Sequence, residues 1–95
     1  MIVGTLRLKL LLRGSHSLKD KRRVLKSLKD QIGNRFNVSV AETDYQDVWQ
    51  TAELGIAAVG TDTPFVQSVL THVEGFVRLF RDVDLVDVEQ DLLGD

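Results

Sequence analysis

Five of the chain's twelve Lys and Arg residues, Lys19, Arg22, Arg23, Lys26 and Lys29, recur at intervals of three and four. On a helix that spacing gathers them along one side, because each residue advances the helix by about 100°. A row of cations suits phosphate groups, and about four phosphate contacts would make binding fall with salt at a log–log slope near 3 to 4. With Arg35 close behind, these residues form the candidate RNA- or phosphate-binding set. The same pattern also describes a solvated helix face on which Asp20 and Asp30 offer local counterions. Lys21 differs from its neighbours. Its spacing sets it beside the apolar stripe, where a lysine is expected to lay its stem along the core edge and snorkel its ammonium to water.

A second group, Glu42, Asp44 and Asp47, crowds around Tyr45 and Trp49, the only tyrosine and tryptophan in the chain. Paired carboxylates do acid–base work when their environments separate their pKa values. An exposed turn separates them poorly, so two other readings are carried forward. One is a hydrogen-bonded turn with Trp49 packed across it. The other is a partner-docking tip formed by Tyr45, Asp47 and Trp49, with an aromatic anchor. The segment Arg13-Gly14-Ser15-His16-Ser17 precedes a helix start, where free amides and the dipole favour an anion. Equally, Ser17 only caps and Gly14 only turns. His16 lacks a second histidine or a spaced carboxylate nearby, so no metal site is expected. With no cysteine, a disulfide framework, a thiolate nucleophile and a cysteine-held metal centre are excluded together. No catalytic residue, cofactor or enzyme activity is expected from these groups.

The elements that must position these residues follow from periodicity. Leu6, Leu8, Leu10 and Leu12 alternate with Arg7, Lys9 and Leu11, which predicts a strand over residues 2–13. Ser17 with Asp20 three positions on forms a near capping box, and a helix starts at about Leu18. Leu18, Val24, Leu25, Leu28 and Ile32 supply its apolar stripe, and Gly33-Asn34 gives a stop signal. Phe36, Val38 and Val40 alternate toward Thr43. After the polar turn, Ala52, Leu54, Ile56 and Ala58 face inward on a strand from Trp49 to Val59, and the two strands form a hairpin. Thr63 precedes Pro64, which places proline at the first position of a second helix. Its stripe is Val66, Val69, Leu70, Val73, Phe76, Val77 and Phe80. A last strand, residues 83–91, places Val86 and Val88 on one face and Leu85, Asp87, Glu89 and Asp91 on the other.

Strand, helix, hairpin, helix, strand predicts a single α+β domain over residues 1–95. The pattern is the ferredoxin-like βαββαβ sandwich, with an antiparallel sheet ordered 4-1-3-2 and both helices on one face. Arg7 and Lys9 then share the open face with Asp87, Glu89 and Asp91, as cross-strand pairs. RNA-recognition motifs of this topology stack bases on aromatics of the central strands. Here the outward positions Arg7, Lys9, Glu53, Gly55, Ala57 and Val59 hold no aromatic ring. The small residues among them, with Ala41, instead suit packing of two sheets face to face, a homodimer.

A composition of 43% hydrophobic and 27% charged residues is that of a globular chain. The start shows no signal-peptide pattern, and Leu10-Leu11-Leu12 is far too short to span a bilayer, so no membrane role and a cytoplasmic location are expected. The net charge of -2 hides a segregation. Residues 1–40 carry ten of the twelve Lys and Arg against two acids, and residues 41–95 carry two Arg against twelve acids. That split marks either a binding face or two halves that neutralise each other.

The runs Ser17-Leu18-Lys19-Asp20-Lys21-Arg22-Arg23, Asn34-Arg35-Phe36-Asn37-Val38-Ser39-Val40-Ala41-Glu42 and Gln46-Asp47-Val48-Trp49-Gln50 resemble the YlxP family of small bacterial proteins, catalogued as a domain of unknown function. The resemblance spans essentially the whole chain. It implies a ferredoxin-like fold and brings no catalytic residues. Genes of that family often lie beside those of translation initiation and ribosome maturation factors, which implies a ribosomal or RNA connection. Three functions are therefore expected in descending order: an RNA- or ribosomal-subunit-associated module using the basic helix, a homodimeric protein-interaction module using the Tyr45–Trp49 hairpin, and an acylphosphatase-like hydrolase. Only Arg13 and Gly14 echo the phosphate loop of that last class.

Overall fold

Alternation along the first segment gives β1 (Ile2–Leu12), whose Leu6, Leu8, Leu10 and Leu12 are buried while Arg7 is exposed. The computed structural model describes residues 1–94 and continues with α1 (Leu18–Arg35), β2 (Ser39–Asp44), β3 (Thr51–Gly60), α2 (Thr63–Arg78) and β4 (Val83–Gly94). The four strands form one antiparallel sheet ordered β2-β3-β1-β4, the expected ferredoxin-like arrangement. Leu25, Leu28 and Ile32 of α1 and Val66, Leu70, Val73 and Val77 of α2 join the inward leucines of β1 and Ala52, Leu54, Ile56 and Ala58 of β3 in a single core. Among the described residues no element covers the other sheet face. Among the described residues no helix is long and apolar enough to cross a membrane.

Four local expectations are corrected. Gly33-Asn34 does not stop α1, which continues to Arg35. Its terminus is set by Phe36, whose amide donates to the Ile32 carbonyl and whose ring meets Phe76 edge-on at 6.1 Å. Tertiary packing there overrides a weak local preference. The cap of α2 is Asp62 and not Thr63: its carboxylate accepts from the Phe65 amide at 2.8 Å, and Pro64 falls one position further in. β4 extends to Gly94, paired with Ile2. Finally, the β1–β4 register shifts between Lys9 and Leu10, where Lys9 faces Asp87 and Leu10 faces Leu85. The extra residue, Val86, is 48% exposed, while Leu85 turns inward and packs on the core beside Val88. A bulge of this kind reverses the side-chain alternation beyond it.

Candidate nucleic-acid interface

The N-terminus of α1 is built as the sequence suggests, with one variation. Ser17 Oγ accepts from the Asp20 amide at 3.1 Å, but the Asp20 carboxylate returns to the His16 amide at 3.2 Å and not to that of Ser17. The position an anion would take at this helix end is thus already held by a carboxylate. The Arg13 amide is also engaged, donating to the Asp82 carbonyl at 3.0 Å.

From this start α1 turns Lys21, Leu25, Leu28 and Ile32 into the protein and presents its cations on the far side. Lys19, Arg22, Arg23 and Lys26 are exposed and Lys29 is half-buried. Arg23 lies 3.6 Å from the Asp20 carboxylate, and the Lys26 ammonium donates to Asp30 at 2.8 Å. That hydrogen bond, then the charge of Asp30, raises the Lys26 pKa above its ordinary 10.5. Lys19, Arg22 and Lys29 have no hydrogen bond or ion pair among the described residues. Arg35 turns away from the row. Its guanidinium stacks over the Phe76 ring at 4.8 Å, a cation–π contact that ties the end of α1 to α2.

Beside the row, Arg23, Val24 and Ser27 line a shallow groove of about 300 Å³ with Phe80, Arg81 and Asp82 from the α2–β4 turn. Arg81 thereby extends the basic surface. Nothing in its sequence neighbourhood signals this, since the turn meets α1 only through the fold.

The acids of the second half lie elsewhere. Arg7 is flanked by Glu89 at 3.3 Å and Glu53 at 3.7 Å, and Arg13 meets Asp84 at 3.4 Å. Asp87 and Asp91 share that open sheet face, in register with Lys9 and Thr5. Glu74 holds Arg78 at 2.9 Å on α2. Among the described residues none of these acids forms an ion pair with the exposed cations of α1.

Lys21 departs most from expectation. It is 1% exposed and does not snorkel. Its ammonium instead donates to the carbonyls of Tyr45 at 2.5 Å and Val48 at 2.6 Å, and stands 3.0 Å from Glu42 Oε2. That carboxylate oxygen is itself buried and otherwise unbonded. The contact is a close charge pair without hydrogen-bond alignment, which explains both observations. Glu42 reaches this position because it pairs with Leu54 across the hairpin and so points to the helix side of the sheet, one residue before a bulge at Thr43.

The lysine thereby fastens the hairpin loop to α1. Tyr45, in a left-handed conformation with φ of 62°, offers its ring to the Lys9 ammonium at 5.3 Å on the open sheet face. Trp49 goes the other way and does not pack across the turn. Its ring lies 6.3 Å from that of His16, between centroids, at the entry to α1. Asp44 caps the Tyr45 amide at 2.7 Å, and Asp47 is exposed. The hairpin tip therefore divides, with Tyr45 toward the sheet and Trp49 toward the basic helix.

These features define a small ferredoxin-like α+β protein with a cationic first helix, a buried lysine clasp and an open acidic sheet face. Residues 3–90 match the family described as "Protein of unknown function (DUF503)", and the chain belongs to that family. It is 41% identical to the "Uncharacterized protein YlxP" of Bacillus subtilis (strain 168) over 68 residues, which are 72% of this chain and 74% of that relative. Among solved structures, the de novo designed protein Foldit4 superposes with a TM-score of 0.52 over 99% of this chain and 97% of its own. At 12% identity that likeness concerns the fold alone.

Proposed function

We propose that this protein is an RNA-binding module, ribosome-associated, whose contact surface is the exposed side of α1: Lys19, Arg22, Arg23, Lys26 and Lys29, extended by Arg81. One observation supports this reading above the others. Glu53, Asp87, Glu89 and Asp91 lie on the sheet face opposite the helices, and among the described residues no acid from outside α1 forms an ion pair with the cationic row, although Asp82 lines the groove beside it. The pairs that do touch it, Arg23–Asp20 and Lys26–Asp30, are exposed and local. Such exposed pairs are worth little in water. Arg35, engaged with Phe76, serves the fold more than the surface.

The test is binding of the purified protein to ribosomal subunits and to structured RNA across a salt series. A variant with Arg22→Glu, Arg23→Glu and Lys26→Glu provides the comparison. Binding should fall with salt at a log–log slope of about 3 to 4 and vanish in the variant. A wild-type protein that binds neither target at low salt removes the reading.

Pairing of two copies through the open sheet is the second reading. It is favoured by a depression of about 410 Å³ over Thr5, Ala41, Gly55 and Ala57, and by the exposed Val59 and Leu93 flanking it. It is opposed by Asp87, Glu89 and Asp91, which two stacked sheets would bring together. A strict monomer in sedimentation at high concentration dismisses it.

A further inference from the structure

Trp49 is the largest side chain in the protein, yet it is 38% exposed, next to Val48 at 43%. A mobile loop would explain little-buried apolar groups of this kind, but this loop is held on both sides of the indole. The Val48 carbonyl accepts from Lys21 Nζ at 2.6 Å, and the Gln50 carbonyl accepts from the Leu12 amide at 2.9 Å. Within the turn, the Val48 amide donates to the Tyr45 carbonyl at 3.0 Å. The backbone on either side of the indole is thus held, and the ring stands beside His16, immediately before the turn of α1 that carries Lys19 and Arg22.

Building on the reading of α1 as a phosphate-contacting surface, we infer that Trp49, with His16 beside it, is a stacking platform for an unpaired base. The RNA this protein prefers then carries a single-stranded segment next to the stretch whose backbone lies along α1. An aromatic face beside a cationic groove suits a polyanion whose bases carry π-faces, and stacking tolerates any base. A protein partner fits less well, because the buried centres of protein interfaces are depleted in charge, whereas this ring stands at the entry to the helix that carries the cationic row. Holding the loop backbone in advance also lowers the ordering cost of binding. Lys21 is a positioning residue in this account, since it touches the loop and not the RNA.

The chain's single tryptophan makes the test direct. Its fluorescence is followed while the protein is titrated with a blunt RNA duplex and with the same duplex carrying a single-stranded overhang. The overhang RNA should bind more tightly by on the order of tenfold and quench the indole, while the blunt duplex binds without quenching. Trp49→Ala should lose that preference yet keep salt-dependent binding to the duplex, and Trp49→Phe should retain most of it. Binding of both RNAs with silent fluorescence and an unchanged preference in Trp49→Ala overturns the platform and leaves the helix reading standing. Absence of binding to either RNA at low salt removes the helix reading and the platform with it. The wild-type titration decides the matter even should a variant fold poorly.

Discussion

At the scale of single residues, Lys21 carries more consequence than any exposed cation. Its ammonium, almost fully buried, serves two carbonyls and the partly buried carboxylate of Glu42. Removing one partner of a buried charge pair leaves the other uncompensated, at a cost of about 3 to 5 kcal/mol. Lys21→Met should therefore lower the free energy of urea unfolding by that amount. Adding Glu42→Leu should recover part of the loss, because the stranded charge goes while the carbonyls of Tyr45 and Val48 stay without their donor. Equal unfolding curves for wild type and Lys21→Met would show that the clasp contributes nothing. Lys26 illustrates the opposite regime. Its partner Asp30 raises its pKa above 10.5, so whatever the exposed pair contributes is complete below that value and is lost as pH rises through the raised one. The ammonium stays charged throughout the neutral range in which RNA binding would be measured.

At the scale of elements, the helices hold two glycines whose presence the fold does not require. Gly75 sits inside α2, and a Cβ built there meets nothing within 4 Å. Gly75→Ala should stabilise the protein by about 0.5 to 1 kcal/mol, read as a rise in melting temperature, since only helix propensity changes. A fall would mean that α2 meets a partner at this point. The same kind of reasoning marks where local signals were sufficient. The leucine alternation of β1 and the stripes of both helices could be read directly, because one face of each element is buried and the period is strict. The stop signal at Gly33, worth about 1 kcal/mol, yields to the packing of Phe36 and Arg35 on Phe76. The facing of Leu85 departs from simple alternation because a bulge is a property of two strands in register, invisible in one of them. Within the candidate site, the cationic row was legible from spacing alone. The burial of Lys21 and the meeting of Trp49 with His16 were not, since each joins segments brought together only by the hairpin folding back on α1.

At the scale of the whole molecule, the sequence's division into a basic and an acidic half is partly a division between two sides. Glu53, Asp87, Glu89 and Asp91 stand on the open sheet face, while Glu42, Glu74 and Asp82 stay on the helix side. β1 and the turn after it lend Arg7 and Arg13 to the acidic side, where Glu53, Glu89 and Asp84 engage them, while α1 keeps its exposed cations on the other. The two sides are separated by the sheet and by a helix about 10 to 12 Å thick. Charges in solution interact little beyond a Debye length of about 8 to 10 Å at ordinary ionic strength. The acids of β4 should therefore neither mask the helix nor repel an RNA lying on it. Replacing Asp87, Glu89 and Asp91 by their amides together should change RNA affinity by less than about threefold at moderate salt, against complete loss on reversing three charges of α1. At low salt, where screening lengthens to about 30 Å, the same neutral variant should bind measurably tighter than wild type. Should the neutralised protein bind much more tightly at moderate salt as well, the RNA would have to reach around to the sheet. The contact surface would then be the whole molecule and not one helix.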